Sequence, residues 1–249
     1  MPAAPASAEP ALDADLTSIL ATNLVAYQAL ACEYRATSSQ RLKHATRWLD
    51  GVFQRNDQGR RLQALDIGCA DGSHAYLLAE HGYDVTAVDF SPRMIRIARW
   101  RLIRFRLRKA RRPRFLTGEF HAGTFRDSAG HTEVLGDRQF DLVVANAFVH
   151  LFPRPYDRAV VRKTLQLVAF EGTALFSTTI EESREEGYFT KFRSDGTGVD
   201  RWRGHYPKDE FLALIRDAAG DPFDMHDEIT TDMRGRSWLT VAVRRARAG

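Results

Sequence analysis

The stretch Leu65-Asp66-Ile67-Gly68-Cys69-Ala70-Asp71-Gly72-Ser73-His74-Ala75 constrains this chain more than any other. An apolar run containing Leu62, Ala64, Leu65 and Ile67 ends there in an acid, a glycine-bearing loop and a helix start. That order spells a buried strand, a tight turn and a helix. Glycine at the turn lets backbone approach a ligand, and the first helical turn offers N–H groups without intrahelical partners. A dinucleotide pyrophosphate is disfavoured, because its fingerprint would place glycines at 68, 70 and 73, where this chain has Gly68, Ala70 and Ser73. Asp66 and Asp71 would also repel phosphates, whereas a ligand carrying an ammonium or a sulfonium is tolerated beside carboxylates.

The 249 residues, 44% hydrophobic and 27% charged, suit one soluble α/β domain. No apolar run approaches the roughly 20 residues of a membrane span. The start, Met1-Pro2-Ala3-Ala4-Pro5, lacks the charged-then-apolar order of a secretory signal, which leaves the cytoplasm as the expected location. Cys32 and Cys69 are too few for a disulfide framework or a zinc site, so no metal is expected. Net charge is +4, but ten arginines, one lysine and no acid lie between Arg93 and Arg114, and the remainder is mildly acidic. An electrostatic argument for nucleic acid therefore applies to one segment at most.

Residues 1–14 hold few bulky apolar side chains and are expected to be a disordered tail, with a single domain over 15–249. Leu16, Leu20, Leu24, Tyr27, Leu30 and Tyr34 recur at helical spacing. Ser38 or Ser39 can cap a second helix carrying Leu42, Ala45, Trp48 and Leu49, so a helical cap over about 15–58 precedes the first strand. Val85 to Val88 reads as a buried parallel strand with Asp89 at its end, while Ser91 and Pro92 supply the cap and first position of the next helix. On that helix Met94, Ile95, Ala98, Leu102 and Phe105 fall in one arc, opposite Arg93, Arg96, Arg101, Arg104, Arg108 and Arg111. The polar segment 122–138 reads as an extended loop. Phe140 to Ala145 is a strand ending at Asn146, Asp157 to Ala169 a helix, Thr173 to Thr179 a strand, Lys208 to Ala218 a helix, and 223–243 a hairpin.

Three motifs in this order, Asp66-x-Gly68-Cys69-x-Asp71-Gly72, Val85-Thr86-Ala87-Val88-Asp89-Phe90-Ser91-Pro92-Arg93-Met94 and Phe140-Asp141-Leu142-Val143-Val144-Ala145-Asn146, resemble the class I S-adenosylmethionine-dependent methyltransferases, small-molecule type. The resemblance implies a doubly wound, seven-stranded, mostly parallel α/β sheet of Rossmann-like form with N-terminal helices, and S-adenosyl-L-methionine as cofactor. It implies that Asp66, Gly68, Cys69 and Asp71 form the cofactor loop, that Asp89 takes the ribose hydroxyls with Phe90 and Met94 beside it, and that Glu119 and Phe120 meet the adenine. Tyr27, Tyr34 and Arg35 would close the pocket and hold the methionyl carboxylate, and Asn146 and Ala147 would stand between cofactor and acceptor. His150, on the loop after that strand, is a candidate general base, with backbone bonding as its structural alternative. Arg201, Arg203, His205 and Tyr206 could clamp a substrate carboxylate or phosphate, or form an ordinary helix entry; His205 and Tyr206 are carried as catalytic candidates.

The expected function is methyl transfer to an oxygen or nitrogen of a small-molecule metabolite. The loop after Asn146 lacks the signature of base-amine methylation, and no cysteine nucleophile stands near it. Two alternatives stay open: methylation of RNA or protein guided by the arginine helix, and a non-catalytic cofactor-binding partner subunit. The arginine helix could equally form a contact between copies in a homo-oligomer.

Overall fold

In the computed structural model the described residues are 14–36, 49, 61–101, 112–220, 223–232 and 235–246. The expected tail, the second N-terminal helix apart from buried Leu49, and residues 102–111 of the arginine segment lie outside them.

Helix α1 (Ala14–Ala36) comes first, then β1 (Gln63–Ile67), α2 (Ser73–Glu80), β2 (Asp84–Asp89), α3 (Pro92–Arg101) and β3 (Arg114–Glu119). Two short strands follow, β4 (Thr124–Arg126) and β5 (Thr132–Val134), then β6 (Phe140–Asn146), a 3-10 turn (Val149–Leu151) and α4 (Tyr156–Gln166). The chain continues through β7 (Val168–Thr179), β8 (Glu185–Phe192), β9 (Gly198–His205), α5 (Lys208–Ala219), β10 (Phe223–Thr231) and β11 (Ser237–Arg245).

One nine-stranded sheet has the order β10-β11-β7-β6-β1-β2-β3-β4-β5. Its centre is parallel, with Leu65 opposite Thr86 and Val143, because β1 and β6 are apolar on both faces and need helices above and below. Leu65, Ile67, Val143, Ala145 and Phe176 pack in one core with α1, α4 and α5; Ala64, Leu142, Val144 and Leu175 pack in the other with α2.

The expected seven strands, including antiparallel β11 and its hairpin with β10, are present, and the count is corrected to nine. The extra pair comes from the segment read as a loop. Asp127 accepts the N–H groups of Ala129 and His131, closing a turn that folds β5 back on β4 at the sheet edge. A separate two-stranded sheet, β8 with β9, arises where charge hid a period-two pattern: Trp202 and Gly204 are buried while Arg201, Arg203 and His205 point the other way. Asn23 of α1 accepts the Trp202 N–H at 2.8 Å, so α1 lies along β9. The helix expected over 157–169 ends at Gln166, and β7 begins earlier than expected.

Helix α3 buries Met94, Ile95 and Ala98 as its apolar arc requires, and Ser91 Oγ caps it by accepting the Met94 N–H. Arg101, expected on the outer cationic face, is instead buried. Its Nη1 donates to Asp71 Oδ2 at 2.6 Å, to the Asp71 carbonyl at 3.1 Å and to Ser73 Oγ at 2.9 Å. This pair clamps the start of α2 to the end of α3, and removing one member would leave the other charge buried alone. Arg101→Leu is expected to lower stability by about 3–5 kcal/mol, read from urea denaturation. Substitution of exposed Arg96 in the same experiment should cost under about 0.5 kcal/mol.

Candidate active site

Because β1, β2, β3, β6 and β7 run parallel, their carboxyl ends lie along one edge of the sheet, and Asp89, Glu119 and Asn146 stand at the ends of β2, β3 and β6 there. The loop after β1 turns through three left-handed residues, Gly68 (φ 67), Ala70 (φ 47) and Gly72 (φ 76). At Gly68 the conformation is reinforced by space: a Cβ would come 2.9 Å from the Phe148 ring. Ala70 adopts its conformation despite a methyl group, at a cost of about 1–2 kcal/mol. Its N–H donates to Asp89 Oδ2 at 2.9 Å, which holds the loop in that shape.

Asp89 thus fastens two segments, since Oδ1 also accepts the Ser91 N–H at 2.8 Å. Burial pushes its carboxyl up to about 6, against the lowering effect of the Ser91 and Ala70 N–H groups. Asp66 is buried below the same loop. Desolvation holds its pKa well above the usual carboxylate range, with the Ala75 N–H opposing and the charges of Asp89 and Asp71 adding to the rise. Asp66 Oδ2 has no hydrogen-bond partner.

The aromatic residues form the walls. Phe90 follows Asp89 and meets Tyr27 edge-on at 5.9 Å, and Tyr27 meets Tyr34 at 6.1 Å, so α1 covers this end of β2. Phe120 meets Phe148 at 5.6 Å. Met94 is buried beneath, in the same core as Tyr27 and Val88. Glu119 is half exposed at the end of β3, 3.4 Å from His121 Nε2. Asn146, at the end of β6, accepts a hydrogen bond from Ser177 Oγ and places Nδ2 3.4 Å from His74 Nε2; Ala147 follows in a left-handed conformation (φ 52).

On the far side of Asn146 a second group converges from β6, β7 and β9. His150 is buried on the 3-10 turn with Nδ1 3.2 Å from Thr178 Oγ1. Arg203 Nη2 donates to Thr179 Oγ1 at 3.0 Å, and Arg201 Nη1 donates to the Tyr27 hydroxyl at 3.1 Å. His205 stacks on Phe189 at 4.5 Å. Burial, followed by the charges of Arg203 and Arg201, holds the His150 pKa well below its ordinary value, so its imidazole is neutral at physiological pH.

Several expected residues stand elsewhere. Tyr206, a catalytic candidate from sequence, is corrected to a core residue: it is fully buried, its hydroxyl donates to Asp157 Oδ2 at 3.0 Å, and the Arg184 guanidinium lies 3.7 Å above its ring. Asp71 likewise turns away from the edge, with Oδ1 on Ser73 and Oδ2 on Arg101. The Cys69 side chain packs in the core with α2, and its N–H is committed to the Val88 carbonyl. Arg35 lies on α1, but its side chain is outside the described residues. Sequence reasoning missed Ser177, Thr178 and Thr179, whose only signal is the apolar-to-polar change at the end of β7, and His74, which stands inside the glycine-loop stretch at the start of α2.

Residues 65–174 match the model of a methyltransferase domain family. No curated protein matches the chain by sequence. Among solved structures, the DhpI–SAH complex superposes with a TM-score of 0.66 at 18% identity, covering 93% of this chain and 99% of that one. The 1,6-didemethyltoxoflavin-N1-methyltransferase of Burkholderia thailandensis, with bound 1,6-didemethyltoxoflavin and S-adenosylhomocysteine, gives 0.65 at 18% identity over 96% of this chain and 94% of that one. The magnesium protoporphyrin IX methyltransferase of Synechocystis PCC 6803, with bound SAM, gives 0.61 at 17% identity over 96% and 100%. The chain thus shares its fold with these methyltransferase structures, and its residues 65–174 are similar to a methyltransferase domain.

The Asp89 environment carries its own prediction. In the ligand-free protein its carboxyl carbon should titrate by NMR with a midpoint of about 6, not near the ordinary 3.8. Because the folded value is the higher one, the stability linked to this group is full below about 3.8 and is lost as pH rises through about 6.

Proposed function

We propose that this chain transfers the methyl group of S-adenosylmethionine to an oxygen or nitrogen of a small-molecule metabolite. The observation that carries the reading is Asp89, a buried carboxylate at the carboxyl end of β2 whose oxygens each hold one backbone N–H and keep acceptor capacity for the two ribose hydroxyls. The orphaned Asp66 Oδ2 fits a cationic ligand near the glycine loop, where Phe148 fills the space a side chain at position 68 would take. Phe90, Tyr27 and Phe120 would bound the nucleoside, and Tyr34 the methionyl end.

The cofactor supplies an electrophilic sulfonium methyl. The acceptor's lone pair forms the new bond to carbon while the carbon–sulfur pair returns to sulfur, leaving S-adenosylhomocysteine; a neutral O–H or N–H acceptor also loses a proton. The protein's part is to hold the acceptor in line and exclude water. On this reading Asn146, which accepts from Ser177, and His150, beside Thr178, would line the acceptor's side.

The neighbours with named substrates include a toxoflavin precursor methyltransferase and a magnesium protoporphyrin methyltransferase, and a small acceptor here is in keeping with them. The arginine helix contributes less to a nucleic-acid reading than its composition promised, because Arg101 is spent on Asp71.

Calorimetric titration with S-adenosylhomocysteine tests the reading. One molecule should bind per chain, and Asp89→Ala should weaken binding about 100-fold with the fold retained, the value of two hydrogen bonds to a charged acceptor. Affinity should also fall below pH 6, where Asp89 is protonated and one oxygen no longer accepts. Unchanged affinity in the variant would remove the ribose assignment.

A further inference from the structure

Arg201 and Arg203 lie two residues apart on β9 and project to the same side of the strand. Both are partly buried, and the Nε of each is shut off from solvent with no hydrogen-bond partner. Among the described residues no carboxylate lies within ion-pair distance of either guanidinium. The groups around them are hydroxyls and cations: Tyr27, Tyr34 and Thr179, with Arg236 adding to the positive charge at Arg203. Two other arginines taken out of water have acids, Arg101 with Asp71 and Arg184 with Asp157. Two guanidinium groups held close together without a counter-charge are costly unless a ligand supplies it.

The cofactor cannot supply all of it. S-adenosylmethionine carries one carboxylate against a sulfonium and an ammonium, so its arrival adds net positive charge to this end of the sheet. One of the two arginines at most finds a partner there. Arg201, bonded to Tyr27 near Phe90, is the one on the cofactor side. Arg203 reaches instead to Thr179 at the carboxyl end of β7, beside the Thr178–His150 pair.

We propose that the methyl acceptor is an oxyanion, a carboxylate or a phosphoryl or phosphonyl group on a small molecule, and that Arg203, assisted by Arg201 and Thr179, is its recognition residue. This rests on the methyltransferase reading above. The planar guanidinium presents paired donors that match either kind of anion. An anionic oxygen also has no proton to lose, which suits a pocket whose one buried imidazole is flanked by two arginines and would resist becoming charged. His150 then acts as a positioning residue through Thr178, not as a base.

The test uses the full chain saturated with S-adenosylhomocysteine and titrated with inorganic phosphate and, separately, benzoate, with sodium chloride as the ionic-strength control. Binding is read by calorimetry and by the rise in melting temperature. Saturable binding of one or both anions is expected, weakened at least about tenfold in Arg203→Gln and less in Arg203→Lys, which keeps the charge but not the fork. Circular dichroism checks that both variants fold, and their S-adenosylhomocysteine affinity should stay within about threefold of the parent. Stronger phosphate binding would assign a phosphoryl or phosphonyl acceptor, and stronger benzoate binding a carboxylate. No saturable anion binding, anion binding unchanged in Arg203→Gln, or a parallel loss of S-adenosylhomocysteine binding in that variant would each overturn the proposal. A parent protein that binds phosphate or benzoate but no S-adenosylhomocysteine would keep the anion site and count against the methyltransferase reading instead.

Discussion

The bond from the Ala70 N–H to Asp89 Oδ2 joins the loop after β1 to the end of β2, and the shape of the ligand-facing edge depends on it. It keeps a non-glycine residue in the left-handed region and thereby fixes the path between Gly68 and Gly72. It also orients the carboxylate from which the ribose assignment follows. Asp89 is a structural tie, and the lone pairs its oxygens keep are those that the proposed ribose contact would use. Burial raises its pKa because that tie is made away from water.

Buried charge divides the molecule into a settled part and an unsettled one. Under α2 and α3, Asp71, Ser73 and Arg101 satisfy one another, and beside α4 and α5 Asp157 Oδ2 accepts from both Arg184 and Tyr206. These networks fasten helices to the sheet. Along β9 and under the glycine loop the groups are left over: Arg201 and Arg203 lack acids among the described residues, and Asp66 keeps an oxygen free. The leftover positive charge stands towards β7, where the proposed anionic acceptor would supply its counter-charge.

Tyr206 and Arg101 show why composition alone misassigned residues. Tyr206 stands in a run of arginines and aromatics, which in sequence looks like a binding segment. Strand alternation sends it to the face opposite Arg203, where Asp157 takes its hydroxyl. Arg101 belongs by helical angle to a cationic face, but it sits at the end of α3, close enough to reach Asp71 on the neighbouring loop. Neither partner is near in sequence, so neither burial was legible there.

The sequence by itself determined the alternation of strands and helices, the glycine loop, the acid after the second strand and the asparagine after β6, because these are local patterns of apolar periodicity and turn chemistry. It also carried the doubly wound, mostly parallel sheet through its resemblance to a known family. The tertiary structure alone decided that 122–138 adds two edge strands, that β8 and β9 form a hairpin under α1, and which charged side chains are paired. Pairing is set by through-space distance and by the water each group gives up, and neither quantity is a property of neighbouring positions along a chain.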